Sequence, residues 1–519
     1  MSAKNNGLKL GYGVVMTEKK RTASVASTPT SKTQVANIIS RSHPRYHFWA
    51  NQWKFFQMSY VGGKEYIDNY LFKYFKEGEQ EYTDRKERAY RENHTKRVVD
   101  LINTYLFKQD ATRKTSNTLA QSFIDNFDGK KRHASLFMKT ASIWASVFGR
   151  VYIVIDKKTL PEGEKTGTQA DNLKTIPYCY IVFPHNIKDI AFDEVGRVKW
   201  ALIEEAIRND DDPFTADQTV KTQFRLWQVG KWTLYDNAGT SIAEGDTGLD
   251  VVPIIPLDNE EQEEIAGQSL ISDVANIDRA IFNNWSRLDT IVCDQTFSQL
   301  IFPIEGLPID IAGDDELRGQ FLKLATNRIV LYSAQAQAAP AFISPDATQA
   351  QFILDMIQTQ IKQLFAVLGL QNETGTETNL QSGVAKAYDF DKVNKLLNSK
   401  SGNLQQAETY IYEVLSKWLG GVALNVDVTY PTEFDVRALI DDIAVAERLA
   451  MLDVSKTFTK EINKLLVLKA LPEVNEAVHR QIFAEIDAKA EDEEKVLDGE
   501  VFDFDKKKKA KDGGEDEDE

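Results

Sequence analysis

Two helical patterns flank a polar segment in the second half of the chain, and the other elements can be organised around them. Ahead of the segment, apolar residues recur every three or four positions, as on one face of a helix, until Gly369 ends the pattern. These positions are Phe352, Met356, Ile361, Leu364, Phe365 and Leu368. Residues 371–379 carry no apolar side chain, and a second helix is predicted from residue 381 past residue 397. A loop that cannot help to fill a core, placed between two strong helices, is predicted to be an exposed working part.

A second long helix is predicted from Gly267 onward, about eight turns in length. Its apolar stripe consists of Leu270, Val274, Ile277, Ile281, Trp285, Leu288 and Val292. Residues 299–343, which separate the two long helices, are predicted to form short strands around one short helix. Each long helix has a single apolar stripe and few partners within the chain. We therefore infer that neighbouring copies cover the stripes, which implies a homo-oligomer.

The first half of the chain is predicted to begin with helices and to continue with strands. Aromatic residues cluster between Tyr46 and Tyr60, which predicts an amphipathic helix on a core; base stacking is the alternative. Two helices separated by Gly78 follow, and a third stops at Gly149, where it runs into the strand RVYIVID. Apolar and polar residues alternate in 177–207 and again in 222–245, which predicts an antiparallel meander. VVPIIPLD, with its two prolines, predicts an edge strand.

Composition narrows the class of protein. A chain of 519 residues predicts three or four structural units, and only Cys179 and Cys293 occur, which argues for a reducing compartment. The sequence shows no signal-peptide core and no apolar run long enough to span a membrane, so we expect a soluble protein made in the cytoplasm. The net charge of −16 argues against tight binding of nucleic acid, although it is compatible with nucleic acid sliding past.

The sequence contains little that indicates catalysis. It has no GxxxxGK[ST], HExxH, GxSxG or paired CxxC motif, and we expect no cofactor and no metal site. His43 and His47 are separated by a proline after His43, which makes a shared helical face doubtful. Asp210, Asp211 and Asp212 could attract a divalent cation, but a solvated turn is the simpler interpretation. An enzyme is therefore disfavoured.

The order of these elements resembles the portal protein, or head-to-tail connector, of tailed double-stranded DNA bacteriophages. The resemblance covers roughly residues 59–486 and depends on short patterns in a fixed order. These are YVGGKEYIDNYLFKYFKEGEQEYTDRKERAYRENHTKRVVDLINTYLF, VFGRVYIVID, VVPIIPL, SGVAKAYDF, SKTFTKEINKLL and LPEVNEAVHRQIFAEI. The resemblance implies a mixed α+β, mainly helical subunit with wing, stem, clip and crown regions, assembling into a ring of usually twelve copies around a channel.

The family architecture predicts the following division of the chain. The segments are a mobile arm (1–40), wing (41–266), stem helix one (267–298), clip (299–343), stem helix two (344–368), tunnel loop, channel helix and remaining wing (369–431), crown (432–489) and a disordered acidic tail (490–519). In the family, the clip faces the packaging terminase and later the neck or tail proteins. The resemblance therefore implies a location at the capsid vertex of the virion.

The implied working part is the tunnel loop with the helix after it, past which double-stranded DNA moves without sequence-specific binding. The loop residues are Gln371, Asn372, Glu373, Thr374, Thr376, Glu377, Thr378, Asn379, Gln381 and Ser382, and the cations of the channel helix are Lys386, Lys392, Lys395 and Lys400. Implied partners are DNA, terminase, neck or adaptor proteins, major capsid protein and scaffolding protein, and no membrane. Two alternatives stay open: another capsid-associated protein, such as an adaptor or minor head protein, and a metal-dependent nuclease using the aspartates at 210–212.

Overall fold

The computed structural model describes most of the chain between residues 39 and 488. The described residues are 39–40, 42–75, 77–157, 176–208, 213–214, 219–260, 266–296, 299–303, 329–332, 341–343, 348–370, 383–432, 434, 460–461, 463–464, 467 and 478–488. Side chains are described for all of these except 294–303, 329–332, 341–343 and 383–391. Most of the predicted arm, the short helix within 299–343, the polar loop, most of the predicted crown and the tail lie outside these ranges.

The described chain mixes helices and strands, as the sequence predicts, with more helix than strand. The helices are α1 (Pro44–Val61), α2 (Gly63–Tyr70), α3 (Glu79–Arg88), α4 (His94–Leu106), α5 (Thr118–Asp125), α6 (Ala134–Phe148), α7 (Val274–Thr296), α8 (Thr348–Val367) and α9 (Gly383–Trp418). The strands are β1 (Thr112–Lys114), β2 (Arg150–Asp156), β3 (Tyr178–Val182), β4 (Ile187–Phe192), β5 (Val198–Ile207), β6 (Lys221–Gln228), β7 (Lys231–Tyr235), β8 (Ser241–Asp246), β9 (Ile254–Asp258), β10 (Gln299–Pro303), β11 (Ile329–Tyr332), β12 (Ala341–Ile343) and β13 (Asp427–Thr429).

The chain divides into two compact units whose residue ranges alternate along the sequence. The first comprises Met1–Val99, Thr112–Phe282 and Asn403–Val428, and the second comprises Asp100–Ala111, Asn283–Gly402 and Thr429–Glu519. Helices α7 and α9 each contribute residues to both ranges. Among the described residues, no helix combines the length and the apolar character needed to cross a bilayer.

The core of the first unit is a three-stranded antiparallel sheet in the order β3-β2-β9, with α6 packed on it and α1 packed on α6. Every residue of β2 is buried, which explains the uninterrupted apolar run VYIVI within it. Helix α1 begins with Pro44 at its first position and buries Tyr46, Trp53 and Phe56. The predicted helix on a core is therefore confirmed, but it is not clearly amphipathic, because Phe48 stays 76% exposed.

A second sheet of the first unit is an antiparallel meander in the order β4-β5-β6-β7-β8. Leu202, Phe224 and Leu226 form its apolar cluster, against which Ile39 packs. The predicted meander is confirmed for these five strands but is wrong for β3, which pairs with β2 in the other sheet. A 3₁₀ turn at Pro184–Asn186 separates β3 from β4 and lets the chain change sheets.

The end of α6, the start of β2 and the segment before α7 meet at a close approach of Gly149 and Gly267. Gly149 has φ 88°, and a Cβ atom placed on it would lie 2.1 Å from the carbonyl oxygen of Gly267. The Gly149 oxygen accepts a hydrogen bond from the backbone N–H of Asn259 at 2.8 Å. Helix α6 can therefore turn directly into β2 only because neither glycine has a side chain.

The start of α7 differs from its prediction because the segment before it is bonded to the end of α6. The helix begins at Val274 and not at Gly267. The Ser269 hydroxyl donates to the carbonyl oxygen of Val147 at 2.6 Å, and the Leu270 N–H donates to that of Ser146 at 3.0 Å. These bonds to the end of α6 hold the segment out of a helical path.

The helical region after Gly63 also differs from its prediction. Three helices (α2, α3 and α4) replace the predicted two. The additional break lies after Arg88, where Asn93 accepts a hydrogen bond from the backbone N–H of Lys96 at 2.8 Å. An asparagine cap of this kind begins a new helix. Within α4, Val98, Val99, Ile102 and Leu106 form a buried apolar stripe, and Tyr105 is half-buried.

The described part of the second unit contains the C-terminal half of α7, the helix α8, the N-terminal half of α9 and a three-stranded sheet. The sheet has the order β11-β10-β12, with β10 parallel to β11 and antiparallel to β12. Short strands between the two long helices are thus confirmed. The 36-residue α9 confirms the predicted continuation of the helix through SKSG.

We predict that Gly149→Ala lowers the free energy of unfolding by about 3 kcal/mol or more, because it adds both a backbone clash and positive-φ strain. Urea denaturation of the full chain measures this change. Gly248→Ala is the matched control, since Gly248 also has positive φ (64°) but a Cβ there meets nothing within 4 Å. The control should cost only about 1 kcal/mol. Equal losses in the two variants would contradict the importance of the close approach.

Candidate functional site

The C-terminus of α8, directly before the polar segment in sequence, is capped by backbone hydrogen bonds. Gly369, with φ 72°, follows the helix, and the backbone N–H of Leu370 donates to the carbonyl oxygen of Phe365 at 2.9 Å. This bond and the one from the Gly369 N–H to Ala366 (3.1 Å) form a Schellman-type cap. Leu370 is 4% exposed and Phe365 1% exposed. The predicted stop at Gly369 is confirmed, and the chain enters residue 371 from a fixed position.

The helix after the loop presents only part of the predicted set of cations. Lys392 and Lys395 are exposed, whereas Val393 and Leu397 are buried. Lys400 is 2% exposed, so it is not one of the solvent-facing cations that the prediction requires. The side chain of Lys386 and all the predicted loop residues, 371–382, lie outside the described part of the structure.

The apolar positions of α7 become more exposed toward its C-terminus, and those of α8 become more exposed toward its N-terminus. These are the two helix ends that adjoin residues 299–343 in the sequence. On α7, Val274 and Ile281 are buried, but Val292 is 49% exposed. On α8, Leu364 is buried, but Phe352 is 68% exposed. Within the second unit, the amide of Asn284 on α7 donates to the Gln360 oxygen on α8 at 3.0 Å. The predicted stripes therefore exist, and within one chain they are covered only in part.

The most elaborate polar cluster in the described chain surrounds Asp278 on α7. The carboxylate is fully buried and accepts hydrogen bonds from the Thr95 hydroxyl at 2.7 Å, the Thr95 N–H at 3.2 Å and the Arg91 guanidinium. The Nδ1 atom of His94 lies 3.1 Å from the other carboxylate oxygen. The Arg91 guanidinium also stacks on the ring of Tyr66 at 3.8 Å. Sequence reasoning missed this cluster because Asp278 lies more than 180 residues from Arg91, His94 and Thr95 in the chain.

The electrostatics of Asp278 are those of a structural carboxylate. Burial alone raises the pKa of Asp278, but the hydrogen bond with His94, the Arg91 charge and the Thr95 hydroxyl together outweigh burial, so its pKa is lowered below the ordinary 3.8. A carboxylate that stays ionised and has all its oxygens satisfied is a poor proton carrier. His94 is 3% exposed, which leaves a substrate no access to the cluster.

One further buried carboxylate, Glu408, and one half-buried carboxylate, Asp258, have the same character. Glu408 on α9 is fully buried and accepts from Arg113 at 2.6 Å (Nε) and 3.0 Å (Nη2), and from the Tyr412 hydroxyl at 3.0 Å. Asp258 on β9 is paired with Arg150, its direct neighbour on β2, through two hydrogen bonds. Each pair joins segments that are distant in the sequence, so its role is structural.

Asp156, at the end of β2, is the exception among the buried acids. Burial raises the pKa of Asp156. The hydrogen bond from the Lys157 N–H and the nearby Arg225 charge lower it by less, so the net shift is upward. Arg225 is engaged by Glu205 at 2.7 Å and lies 3.6 Å from Asp156. One guanidinium thus serves two carboxylates, and Asp156 is the less well satisfied of the two.

The candidate metal chemistry finds no support among the described side chains. Within the described ranges, no group of three or more His, Cys, Asp or Glu residues could hold a metal ion. His43 precedes α1 as its N-cap residue, and its ring packs edge-to-face on Tyr46 at 5.4 Å. The aspartates at 210–212 lie outside the described ranges.

Comparisons with known proteins give no family assignment. No family model matches the sequence, and no curated protein matches it. Similar solved chains come from the neck of an empty gene transfer agent (GTA) particle with C6 symmetry and from the neck of a native GTA particle with C12 symmetry. Each has a TM-score of 0.36 and 12% identity over 72% of this chain and 89% of the other. A chain from the virion of a native GTA particle has the same TM-score and identity over 70% and 86%.

We predict that Asp278→Asn lowers the free energy of unfolding by about 3 kcal/mol at pH 7, because Arg91 then remains buried without its carboxylate. The folded-state pKa of Asp278 is lowered, so its contribution is present above pH 3.8 and is lost as the pH falls through the folded value. The stability difference between wild type and variant should therefore narrow below about pH 4. Urea denaturation at a series of pH values measures both effects.

Asp156→Asn is the matched control, since it removes the charge of another buried aspartate. Its folded-state pKa is raised, so the ionised form costs stability above that pKa, and the cost disappears as the pH falls toward 3.8. The control should be neutral or slightly stabilising at pH 7 and should lose this advantage in acid. Similar destabilisation by both variants would contradict a particular contribution of the Asp278 contacts to stability.

Proposed function

We propose that this chain is the subunit of a portal ring, a structural connector at the vertex of a phage-type capsid through which DNA is packaged and ejected. The observation that carries the proposal is the pair α7 and α8, which flanks a small three-stranded sheet in sequence and leaves apolar positions exposed. The order of sequence patterns quoted above supports the same function. Terminase, neck proteins, capsid protein and scaffold are its proposed partners.

Exposure on the two long helices favours a second copy as the covering partner. Phe352 and Val292 are 68% and 49% exposed at positions that belong to helical apolar stripes. In a ring, every subunit offers one face to the preceding copy and a different face to the next copy. Residues that are exposed in one chain are then buried in the assembly, without any change in the fold of the subunit.

The proposed channel segment suits passive guidance of DNA. Residues 371–382 contain two glutamates and no lysine or arginine. Each phosphate contact made by a cation adds binding energy that sliding must overcome, so hydroxyl, amide and backbone groups are better suited to moving DNA. The exposed Lys392 and Lys395 add a modest positive band on the following helix. Hydrolysis of ATP would belong to the terminase.

We predict that the purified full-length protein forms closed rings with a central opening, visible by negative-stain electron microscopy. Phe352→Asp should raise the concentration needed for assembly by about tenfold or more, since it places a carboxylate where an apolar contact is proposed. Analytical ultracentrifugation over a dilution series measures this shift.

Gln358→Asp controls for added charge, because Gln358 is exposed on the same helix but is polar already. It should assemble like wild type. Monomers or small dimers under all conditions would contradict the ring and favour a different capsid-associated protein, such as an adaptor. Equal defects in the two variants would remove Phe352 from the interface.

A separate prediction concerns the loop. Deletion of residues 371–379 should leave ring assembly intact, because Leu370 and the cap at Gly369 remain, but should impair DNA packaging or retention. Packaged DNA per particle, measured by nuclease protection, checks the outcome. Replacement of the same nine residues by a Gly/Ser sequence of equal length controls for the shortened connection. Normal packaging by the deletion variant would exclude the proposed role of the loop.

A further inference from the structure

The long helix α9 contains one glycine that its surroundings do not require. Gly402 lies in the interior of the 36-residue helix and is exposed, and its φ is not positive. A Cβ atom placed on Gly402 would meet nothing within 4 Å. Glycine in a helix interior costs about 1 kcal/mol relative to alanine. Neither packing nor backbone conformation therefore accounts for this glycine.

The helix is held separately on the two sides of this glycine. Before it, Leu397 and Lys400 are buried, and the Ser401 hydroxyl donates to the Pro431 carbonyl oxygen at 2.5 Å. These residues belong to the second compact unit, which ends here at Gly402.

After the glycine, the helix is anchored by contacts within the first unit, which resumes at Asn403. The Asn403 amide donates to the carbonyl oxygen of Asp258 at 3.3 Å, and Leu404 is buried. One turn further on, Glu408 is tied to Arg113. The two halves of α9 thus have different anchors, and the exposed glycine lies between them.

We propose that Gly402 is a hinge at which α9 bends. Sharp bends in helices occur at Gly/Ser sequences, where water reaches the backbone and the missing Cβ lowers the barrier to other dihedral angles. The sequence Ser399-Lys400-Ser401-Gly402 supplies such a site. Bending there changes the direction of the helix axis at Gly402, while the hydrogen bonds of Ser401 and Asn403 stay intact. The hinge is independent of the proposed portal function.

The test is the distance distribution between two spin labels on the full-length chain, measured by double electron–electron resonance. The labels are attached at Lys392→Cys and Thr409→Cys, both exposed, in a background with Cys179→Ala and Cys293→Ser. A straight helix separates these positions by about 25 Å. We expect a broad or bimodal distribution with Gly402 and a single narrow one near that distance in Gly402→Ala. A second label pair at Lys395 and Gln406, also exposed, provides the same comparison if the first pair perturbs folding.

Asn398→Ala is the matched control, because Asn398 is an exposed, poor helix former one turn before the glycine. It should raise helix stability and keep the broad distribution. Hydrogen exchange of the amides around residue 402 should slow about fivefold in Gly402→Ala. Equal widths for wild type and Gly402→Ala would overturn the hinge. Equal narrowing by Asn398→Ala would also overturn it, since general helix stabilisation would then explain the effect.

Discussion

The backbone contact between Gly149 and Gly267 is the constraint on which the first unit depends. It lets α6 end and β2 begin without an intervening loop, and it brings the segment before α7 against the same point. Ser269 and Leu270 then bond to the last turn of α6, and Asn259 bonds to Gly149 itself. The central strand, its neighbour β9 and the start of α7 are therefore positioned by one junction that excludes side chains.

Buried carboxylates fix segments that this junction does not reach. Asp278 and Glu408 each accept hydrogen bonds from an arginine and from other side chains. A buried charge that loses its partner is strongly unfavourable, so each pair disfavours packings in which its segments are apart. The same completeness argues against catalysis at these sites, because their oxygens and protons are already committed. Their role follows from the partners they bind, and it is structural.

Helix ends and periodicities were predictable from the sequence where they depend on neighbouring residues. The stop of α6 at Gly149, the stop of α8 at Gly369 and the long course of α9 follow from spacing and glycine chemistry. The late start of α7 and the transfer of β3 to another sheet were not predictable, since both depend on partners more than twenty residues away. Lys400 shows the same limit at the candidate site: its spacing fits an exposed channel face, but contacts made by the folded chain bury it.

Residues 371–379 have no apolar side chain with which to pack, so the fold can position this segment only through the residues on either side of it. Before it, backbone hydrogen bonds and the buried Leu370 fix the chain within the second unit. After it, the chain continues in α9 from Gly383, which belongs to the same unit as Leu370. Both flanking positions are therefore set by one compact unit, and the polar segment takes no apolar side chain from the core of that unit.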